Sequence, residues 1–316
     1  MENYGVGRMN YPPKNQKGVA VLTAMLVVTL GTVIAVNMMW NASLDLRRTT
    51  AALASDQGLL YLQGAEAWAG DILRADLIAS GDSDNLGEQW AAELPPMPID
   101  GGVIAGRLED LHGRFNLNNL VYAGVVDETS QRQFERLLTV LGLDQGLAGI
   151  VVDWLDADVE VEFPNGGEDN IYTGRNPPYR TANTVITSPS ELLAMSGIEQ
   201  ATYRALVPYV TALPSGSSIN VNTASEYVIA SLSDDIDLAY GTQLVQERGT
   251  VGFTNINSRF QDLVEPDTLA RISGISRYFL LTATVTLGTH QFTMYSLLER
   301  DSSGIVRAMF RSLGAQ

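Results

Sequence analysis

The densest group of possible ligands in this 316-residue chain is an acidic run between residues 153 and 169. It contains seven carboxylates and no basic residue: Asp153, Asp156, Asp158, Glu160, Glu162, Glu168 and Asp169. Carboxylates this close repel one another in a folded loop unless solvent or a cation separates them. The run therefore predicts either a solvated acidic surface or a cation site.

The available ligand types decide which cation such a site would hold. The chain has no cysteine, and its only imidazoles, His112 and His290, are far from the run in sequence. Hard oxygen ligands without sulfur or nitrogen favour calcium over zinc. The spacing is not that of an EF-hand, because Val161 stands where that loop needs glycine. The residues alone favour the solvated surface over the metal site.

A helical block predicted from Glu128 to about Leu269 surrounds the acidic run. Before this block, the segments 103–108 and 114–117 have the pattern of a short β-hairpin. After it, apolar residues alternate with threonine over 279–287, and further strands are expected at 290–298 and 305–310. Strands on both sides of a helical block indicate an insertion into an αβ domain, since sequential strands tend to lie together.

The N-terminal part carries an uncharged apolar segment from Val19 to Leu44, long enough to cross a membrane as a helix. We expect this helix to continue to about Leu77, with a length of about 90 Å at 1.5 Å per residue. Four apolar residues at steps of three and four would pack its second half on a globular head: Leu62, Ala65, Ala69 and Ile72.

A basic patch and a glycine precede the apolar segment, in the order Lys14-Asn15-Gln16-Lys17-Gly18. Secretory signals have their cleavage site after the apolar part, so cutting removes that part. A cut after Gly18 would keep it and make Val19 the first residue. The alternative is an uncut signal anchor with a chance glycine. In both cases the lysines are expected on the cytoplasmic side.

The formal net charge of −16 repels nucleic acid and anionic lipid surfaces. The absence of cysteine excludes disulfides, so a hydrophobic core or a metal must stabilise the head.

Taken together, the leader, the long helix and the helical insert resemble the K minor pseudopilin family of the bacterial type II secretion system. The insert carries the motifs that support this resemblance, in family-like order and spacing: Val152-Asp153-Trp154-Leu155-Asp156-Ala157-Asp158, Gly166-Gly167-Glu168-Asp169-Asn170-Ile171-Tyr172, Pro177-Pro178-Tyr179-Arg180, Asn183, Ser190-Glu191-Leu192, Pro208-Tyr209-Val210-Thr211 and Ile219-Asn220-Val221-Asn222-Thr223-Ala224.

The resemblance implies an α+β, type IV pilin-like fold, in which a long N-terminal helix packs on an antiparallel sheet. A large, mostly α-helical inserted domain would contain helix-hairpin-helix (SAM-like) units. The expected organisation is a prepilin leader (1–18), a transmembrane part of the helix (19–44), a first pilin-like part with helix and β-hairpin (45–127), the helical insert (128–272) and C-terminal antiparallel strands (273–316).

The resemblance also reverses the choice at the acidic run, because the family binds calcium in this insert. The ligands it implies are Asp153, Asp156, Asp158, Glu168, Asp169 and Asn170. At the fifth mature position, where ordinary pseudopilins have glutamate, this chain has Thr23. The K family also lacks that glutamate, and it is placed at the tip of the pseudopilus.

The function implied is that of a minor pseudopilin that supports protein export across the outer membrane. Prepilin peptidase would cut between Gly18 and Val19, and the new amine of Val19 would be methylated. The subunit would be a single-pass inner-membrane protein with its head in the periplasm. It would join the minor pseudopilins I and J in a tip complex that meets exported substrate proteins.

Two other function classes are compatible with parts of the chain. The segments 188–213 and 219–263 resemble helix-hairpin-helix units of competence-type DNA receptors, so a membrane-anchored DNA receptor is the alternative. However, the second expected hairpin, 233–237, has three carboxylates, which repel phosphate, so we expect no nucleic-acid partner. The chain has no hydrolase or phosphate-loop motif and no thiol nucleophile, so we do not expect an enzyme.

Overall fold

The structure, a computed structural model, describes residues 17–81, 83–93, 95–162 and 165–314. Most of the predicted leader lies outside these residues. The helices are α1 Lys17–Ser80, α2 Glu128–Val140, α3 Leu147–Leu155, α4 Asp169–Tyr172, α5 Gln200–Leu206, α6 Glu226–Ala230, α7 Leu238–Arg248, α8 Ile256–Phe260 and α9 Pro266–Leu269. The strands are β1 Met97–Ile99, β2 Gly102–Asp110, β3 Phe115–Asn116, β4 Val121–Tyr122, β5 Val125–Val126, β6 Val210–Thr211, β7 Ile219–Asn220, β8 Ile272–Ser273, β9 Tyr278–Leu287, β10 His290–Arg300 and β11 Val306–Leu313.

The chain divides into two compact units at Gln57 and Gly58. The first unit contains the apolar part of α1. Among the described residues, α1 is the one helix that is long and apolar enough to cross a membrane. Its threonine hydroxyls donate back to main-chain carbonyls one turn earlier, as Thr29 does to Met25 at 2.7 Å. Because each hydroxyl is paired within the helix, these polar groups are compatible with a hydrocarbon environment.

The second unit is built on a five-stranded antiparallel sheet with the order β1-β2-β9-β10-β11. Side chains of β9 alternate between fully and partly buried, as expected for the central strand of the sheet. Phe279, Ala283 and Val285 are fully buried on one face, while the intervening threonines are only partly buried on the other. The predicted C-terminal strands are therefore confirmed.

Within this unit, the last turns of α1 cover the buried face of the sheet. Leu62 and Ala69 of the predicted stripe are buried there, together with Leu73, and Ala65 and Ile72 pack against the same core. At Gly58 a Cβ atom would lie 2.6 Å from Cδ2 of Phe292, so glycine allows this approach of helix to strand without displacing the Phe292 ring. The predicted packing of the long helix on a head is confirmed.

The predicted hairpin of 103–108 with 114–117 is wrong. β2 forms its hairpin with the preceding β1, across a two-residue turn at Asp100 and Gly101, where Gly101 has a φ of +81°. β3, which replaces the predicted second strand, pairs in parallel with β6 instead. Phe115 and Leu117 belong to the core of the helical block, and this burial explains their apolar character.

The helical block is inserted between β2 and β9, which are hydrogen-bonded neighbours. Its core joins α2 and α3 to later segments through fully buried residues such as Phe134, Val151 and Phe260. Phe115, Leu117 and Leu120 are part of the same core. The insert, predicted to begin at residue 128, therefore begins directly after Asp110, because residues 115–120 pack with it and not with the sheet.

A buried polar junction fixes the insert to the sheet. The Asp110 carboxylate accepts hydrogen bonds from Asn220, Thr223 and Ser276 of the insert and from the main-chain N–H of His112. Burial is the largest effect on Asp110 and raises its pKa. These bonds compensate part of the cost of burying the carboxyl group and hold the insert in one orientation.

Arg300 of β10 lies beside this junction and is almost fully buried. Its guanidinium donates to Asp76 at 3.1 Å, to Asp84, and to the main-chain carbonyls of Leu73 and Ser276. Burial raises the pKa of Asp76 to about 6. Arg300 therefore ties the end of α1, the following segment and the sheet together in the second unit.

Candidate metal centre

Three carboxylates of the acidic run come together in the insert: Asp156, Asp158 and Glu168. One oxygen of each lies within 4.8 Å of the other two. Asp156 and Glu168 are buried, whereas Asp158 is exposed. The cluster therefore has a buried base and an open side, an arrangement that a cation can enter from solvent.

Local structure places these side chains. α3 is an apolar helix buried along its whole length, and Asp156 follows as its C-terminal cap, with its N–H donating to the carbonyl of Val152. Glu168 is the residue before α4. Gly166 lies directly against Asp153 and Glu162, and a Cβ atom at this position would collide with both. Because glycine has no Cβ, the chain can return close to α3 here and bring Glu168 back to it.

Asp153, also predicted as a ligand, has a different role in this structure. Its carboxylate accepts the main-chain N–H of Glu162, whose nitrogen lies 3.0 and 3.2 Å from the two carboxylate oxygens. It is fully buried and ties Glu162 of the acidic loop to α3. Asp153 is therefore not one of the three clustered carboxylates.

The last two predicted ligands, Asp169 and Asn170, lie outside the cluster. Asp169 accepts from the main-chain N–H and hydroxyl of Thr181, both at 3.2 Å, and faces Arg180 at 3.5 Å. Asn170 is exposed on α4. Asp169 shares the Thr181 hydroxyl with Glu168 but is not one of the three clustered carboxylates.

Electrostatics in the cluster oppose full ionisation without a cation. Burial raises the pKa of Asp156 to about 7, with further contributions from the charges of Asp158, Asp153 and Glu168. Burial also raises the pKa of Asp153 to about 6, against the effect of main-chain hydrogen bonding to it. A cation at the cluster would remove this penalty by favouring the ionised forms.

Unpaired buried oxygens point to the same conclusion. Within the described residues, Oδ1 of Asp156, Oε1 of Glu168 and Oδ1 of Asn183 are buried without a hydrogen-bond partner. The other oxygen of Glu168 accepts the Thr181 hydroxyl at 3.0 Å. Buried polar atoms are nearly always paired, so unpaired oxygens on two members of one carboxylate cluster point to a cation as their partner. The donor set fits calcium, because every member is oxygen.

The segment 180–183 contributes to the site without having been predicted to do so. Thr181 anchors Glu168 and Asp169, and Asn183 donates from Nδ2 to the main-chain carbonyl of Asp158 at 2.8 Å. Asn183 also has a left-handed backbone, with a φ of +44°, which asparagine tolerates better than most residues. The only sequence signal was the position of Asn183 among the family-like motifs.

The predicted processing residues lie at the start of α1. Gly18 and Val19 are exposed in its first turn, and a Cβ atom added at Gly18 would meet no atom outside the local helix within 4 Å. Thr23 hydrogen-bonds to the carbonyls of Val19 and Ala20. Its side chain is therefore satisfied within its own helix.

Comparison with protein families supports the resemblance. Two models described as type II secretion system (T2SS), protein K, match residues 113–215 and 219–273. Type II secretion system protein K of Pseudomonas aeruginosa is 36% identical over 95% of this chain and 94% of its own length. The chain belongs to the type II secretion system protein K family.

Further relatives have the same name. Protein K of Pectobacterium carotovorum is 32% identical over 90% of this chain and 92% of its own length. Protein K of Aeromonas hydrophila is 31% identical over 83% of this chain and 84% of its own length. Membership of the protein K family confirms the predicted function as a minor pseudopilin of the type II secretion system.

A solved structure supports the fold as well as the family. The crystal structure of the GspK-GspI-GspJ complex from enterotoxigenic Escherichia coli contains a chain that is 26% identical to this one. The two superimpose with a TM-score of 0.76, over 85% of this chain and 100% of the other. This likeness confirms the mixed fold, with a long N-terminal helix packed on an antiparallel sheet. The family models match the insert, which carries the candidate metal centre.

Proposed function

We propose that this protein K works as a structural subunit, joining the minor pseudopilins I and J in a complex at the tip of the pseudopilus. The observation that carries this proposal is the close structural likeness to a chain of the GspK-GspI-GspJ complex. A wide helical insert agrees with a tip position, because it would obstruct the stacking of a further subunit above it. The subunit would act mechanically, as an assembly component that meets exported proteins, and not as an enzyme.

The membrane arrangement belongs to the same proposal. The apolar part of α1 would anchor the subunit as a single pass in the inner membrane, with the second unit in the periplasm. Prepilin peptidase would cut between Gly18 and Val19, leaving the apolar segment at the start of the mature chain, with its new amine methylated.

Recovery of the tagged protein from inner membranes tests processing and partners together. We expect an N-terminal sequence that begins at Val19 and two co-purifying pilin-like chains. Gly18→Val should leave the leader attached, while Gly31→Val, an equally unobstructed position on the same helix, should be processed normally. An intact Met1 in the wild-type protein, with no such companions, would favour a plain signal anchor.

We further propose that Asp156, Asp158 and Glu168 hold a structural calcium ion. When bound, calcium would neutralise three carboxylates that otherwise repel one another and would fix the loop between α3 and α4. Asp153 would position the loop through the main-chain N–H of Glu162. Asp169 would act through Thr181 as a support for Glu168.

Calorimetric titration of the purified full chain with calcium tests this assignment. Glu168→Gln should weaken calcium binding by at least about tenfold, because it removes one charged oxygen ligand from the buried side of the cluster. Asn170→Ala is the control, since Asn170 is exposed on α4 and is not one of the three carboxylates of this proposal. Equal loss of binding in both variants would contradict the three-carboxylate assignment.

The two helix-hairpin-helix-like segments would serve as packing modules within the insert. α6 and α7 flank the turn 233–237, and Asp234 of this turn pairs with Arg136 of α2 at 2.8 Å. The acidic turn therefore faces a protein cation, which supports a packing role over a phosphate-binding role. Filter binding of DNA at low salt would test the remaining alternative, and we expect no retention.

A further inference from the structure

Three carboxylates and one guanidinium meet where α1 ends. One oxygen each of Asp76, Asp84 and Glu88 lies within 4.8 Å of the other two. Arg300 contacts two of these carboxylates, donating to Asp76 at 3.1 Å and to Asp84. Asp76, Asp84 and Arg300 are almost fully buried, and Glu88 is half-buried. If all four groups are ionised, the single guanidinium therefore leaves a net negative charge in a largely buried place.

The hydrogen bonds of the three carboxylates are unequal. Glu88 accepts three N–H groups from its own segment, 85–90. Asp84 accepts from Arg300 and from one main-chain N–H at 2.6 Å. Among the described residues, Asp76 accepts a single hydrogen bond, from Arg300. Hydrogen bonds donated to a carboxylate favour its ionised form, so Asp76 is the member of the cluster least suited to carry a charge.

The surroundings of Asp76 favour its neutral form. Besides Arg300, the charged groups that face it are Asp84 and Glu88, while Asn220 of the insert, which donates to the carbonyl of Asp84 at 3.1 Å, is uncharged. Burial raises the pKa of Asp76 from 3.8 to about 6, and the two neighbouring carboxylates act in the same direction against the guanidinium. The folded protein therefore binds this proton about a hundredfold more tightly than the unfolded chain.

We propose that Asp76 is the proton-binding member of a pH-dependent clamp, which holds the end of α1 on the sheet while this carboxyl group is neutral. In that state Arg300 remains paired with Asp84 and has fewer negative charges to compensate. Loss of the proton adds a further negative charge to the cluster, and repulsion should loosen the segment 76–88 from the sheet. The clamp lies within the second unit and depends neither on the calcium centre nor on the tip complex.

The direction of the pH effect follows from the raised pKa of Asp76. Because the folded state binds the proton more tightly than the unfolded state, the resulting stability is fully present below about pH 4. This stability is lost as the pH rises through about 6. The head should therefore hold the end of α1 more firmly at pH 5 than at pH 8.

Thermal unfolding of the full chain in detergent, with chelator present, tests the proposal. Between pH 5 and pH 8 the Tm of the wild type should fall by about 2–5 °C more than that of Asp76→Asn, which keeps a neutral group at this position. Asp71→Asn is the matched control, because Asp71 is an exposed residue of the same helix, and its Tm should follow the wild type. Asp156 is unchanged in all three proteins, so its own titration cancels in the comparison. An equal pH dependence of the wild type and Asp76→Asn would overturn the proposal.

Two further measurements decide the question if Asp76→Asn does not fold. Glu88→Gln keeps Asp76 and Arg300 but removes one neighbouring negative charge, so its Tm should depend less on pH between pH 5 and pH 8 than that of the wild type. Hydrogen exchange of the wild type, corrected for its intrinsic pH dependence, should show that residues 73–91 lose protection over the same range. A pH dependence unchanged by Glu88→Gln, or a loss of protection spread evenly over the head, would contradict the clamp.

Discussion

Replacing Asp156 by asparagine should have opposite effects on stability with and without calcium. In the chelated protein the carboxyl group of Asp156 is buried among other acids, and its pKa is raised from 3.8 to about 7. The folded state therefore binds this proton more tightly than the unfolded state. The corresponding stability is fully present below about pH 4 and is lost as the pH rises through 7.

The magnitude follows from the same pKa values. A rise from 3.8 to about 7 corresponds to ~4 kcal/mol between pH 4 and pH 8. Relaxation of the loop and water penetration reduce this figure, so we expect Asp156→Asn to stabilise the chelated protein at pH 8 by about 1–3 kcal/mol. With saturating calcium the same change would remove a charged ligand of the proposed ion, and the variant should be less stable than the wild type.

Thermal unfolding of the full chain in detergent, followed by tryptophan fluorescence, measures both effects. Each kcal/mol corresponds to roughly 2–4 °C in Tm for a domain of this size. Glu160→Gln is the matched control, because it removes one negative charge from an exposed position of the same loop. Its Tm should change little in either condition.

The reasoning would be refuted if Asp156→Asn changed Tm in the same direction with calcium and with chelator. It would also be refuted if the chelated wild-type protein were no more stable at pH 5 than at pH 8. We expect Asp156→Asn to be more stable than the wild type with chelator and less stable with calcium. Glu160→Gln should match the wild type in both conditions.

Three further substitutions test the fold. Arg300→Met should destabilise by about 3–5 kcal/mol in urea unfolding, because it leaves Asp76 and Asp84 buried without their cation; adding Asp84→Asn should recover part of the loss. Gly102→Ala should cost about 1–3 kcal/mol, since the new methyl group would meet a carbonyl oxygen of β9, and a neutral effect in the same assay would argue against this close approach. Phe134→Ala should cost about 3–5 kcal/mol through loss of a fully buried side chain, and a smaller cost would mean that the insert core can collapse around the gap.

The parts of the fold that sequence could predict are those with long, regular patterns. The alternation over 279–287 and the apolar spacing in α1 each extend over several residues, so one burial pattern fits them. The segment 114–117 is too short for this. Its pairing with β6 joins residues 95 positions apart, as from Phe115 to Val210, and no local pattern records such a contact.

At the candidate metal centre, the sequence identified the acidic residues but could not assign their roles. Asp153 and Asp156 are both buried, yet Asp153 accepts the main-chain N–H of Glu162 and Asp156 has an oxygen without a hydrogen-bond partner. This distinction depends on how the chain returns past Gly166. Thr181 and Asn183 come from beyond the acidic run, where neither charge nor periodicity marks them as part of the site.

The pairing of Asp110 with Phe279 means that the chain leaves the sheet and returns to it on adjacent strands. Because the insert is connected to the sheet through these two adjacent residues, its length can change without altering the order of the strands. A short turn between these two residues would yield a minimal head in which β2 and β9 form a simple hairpin.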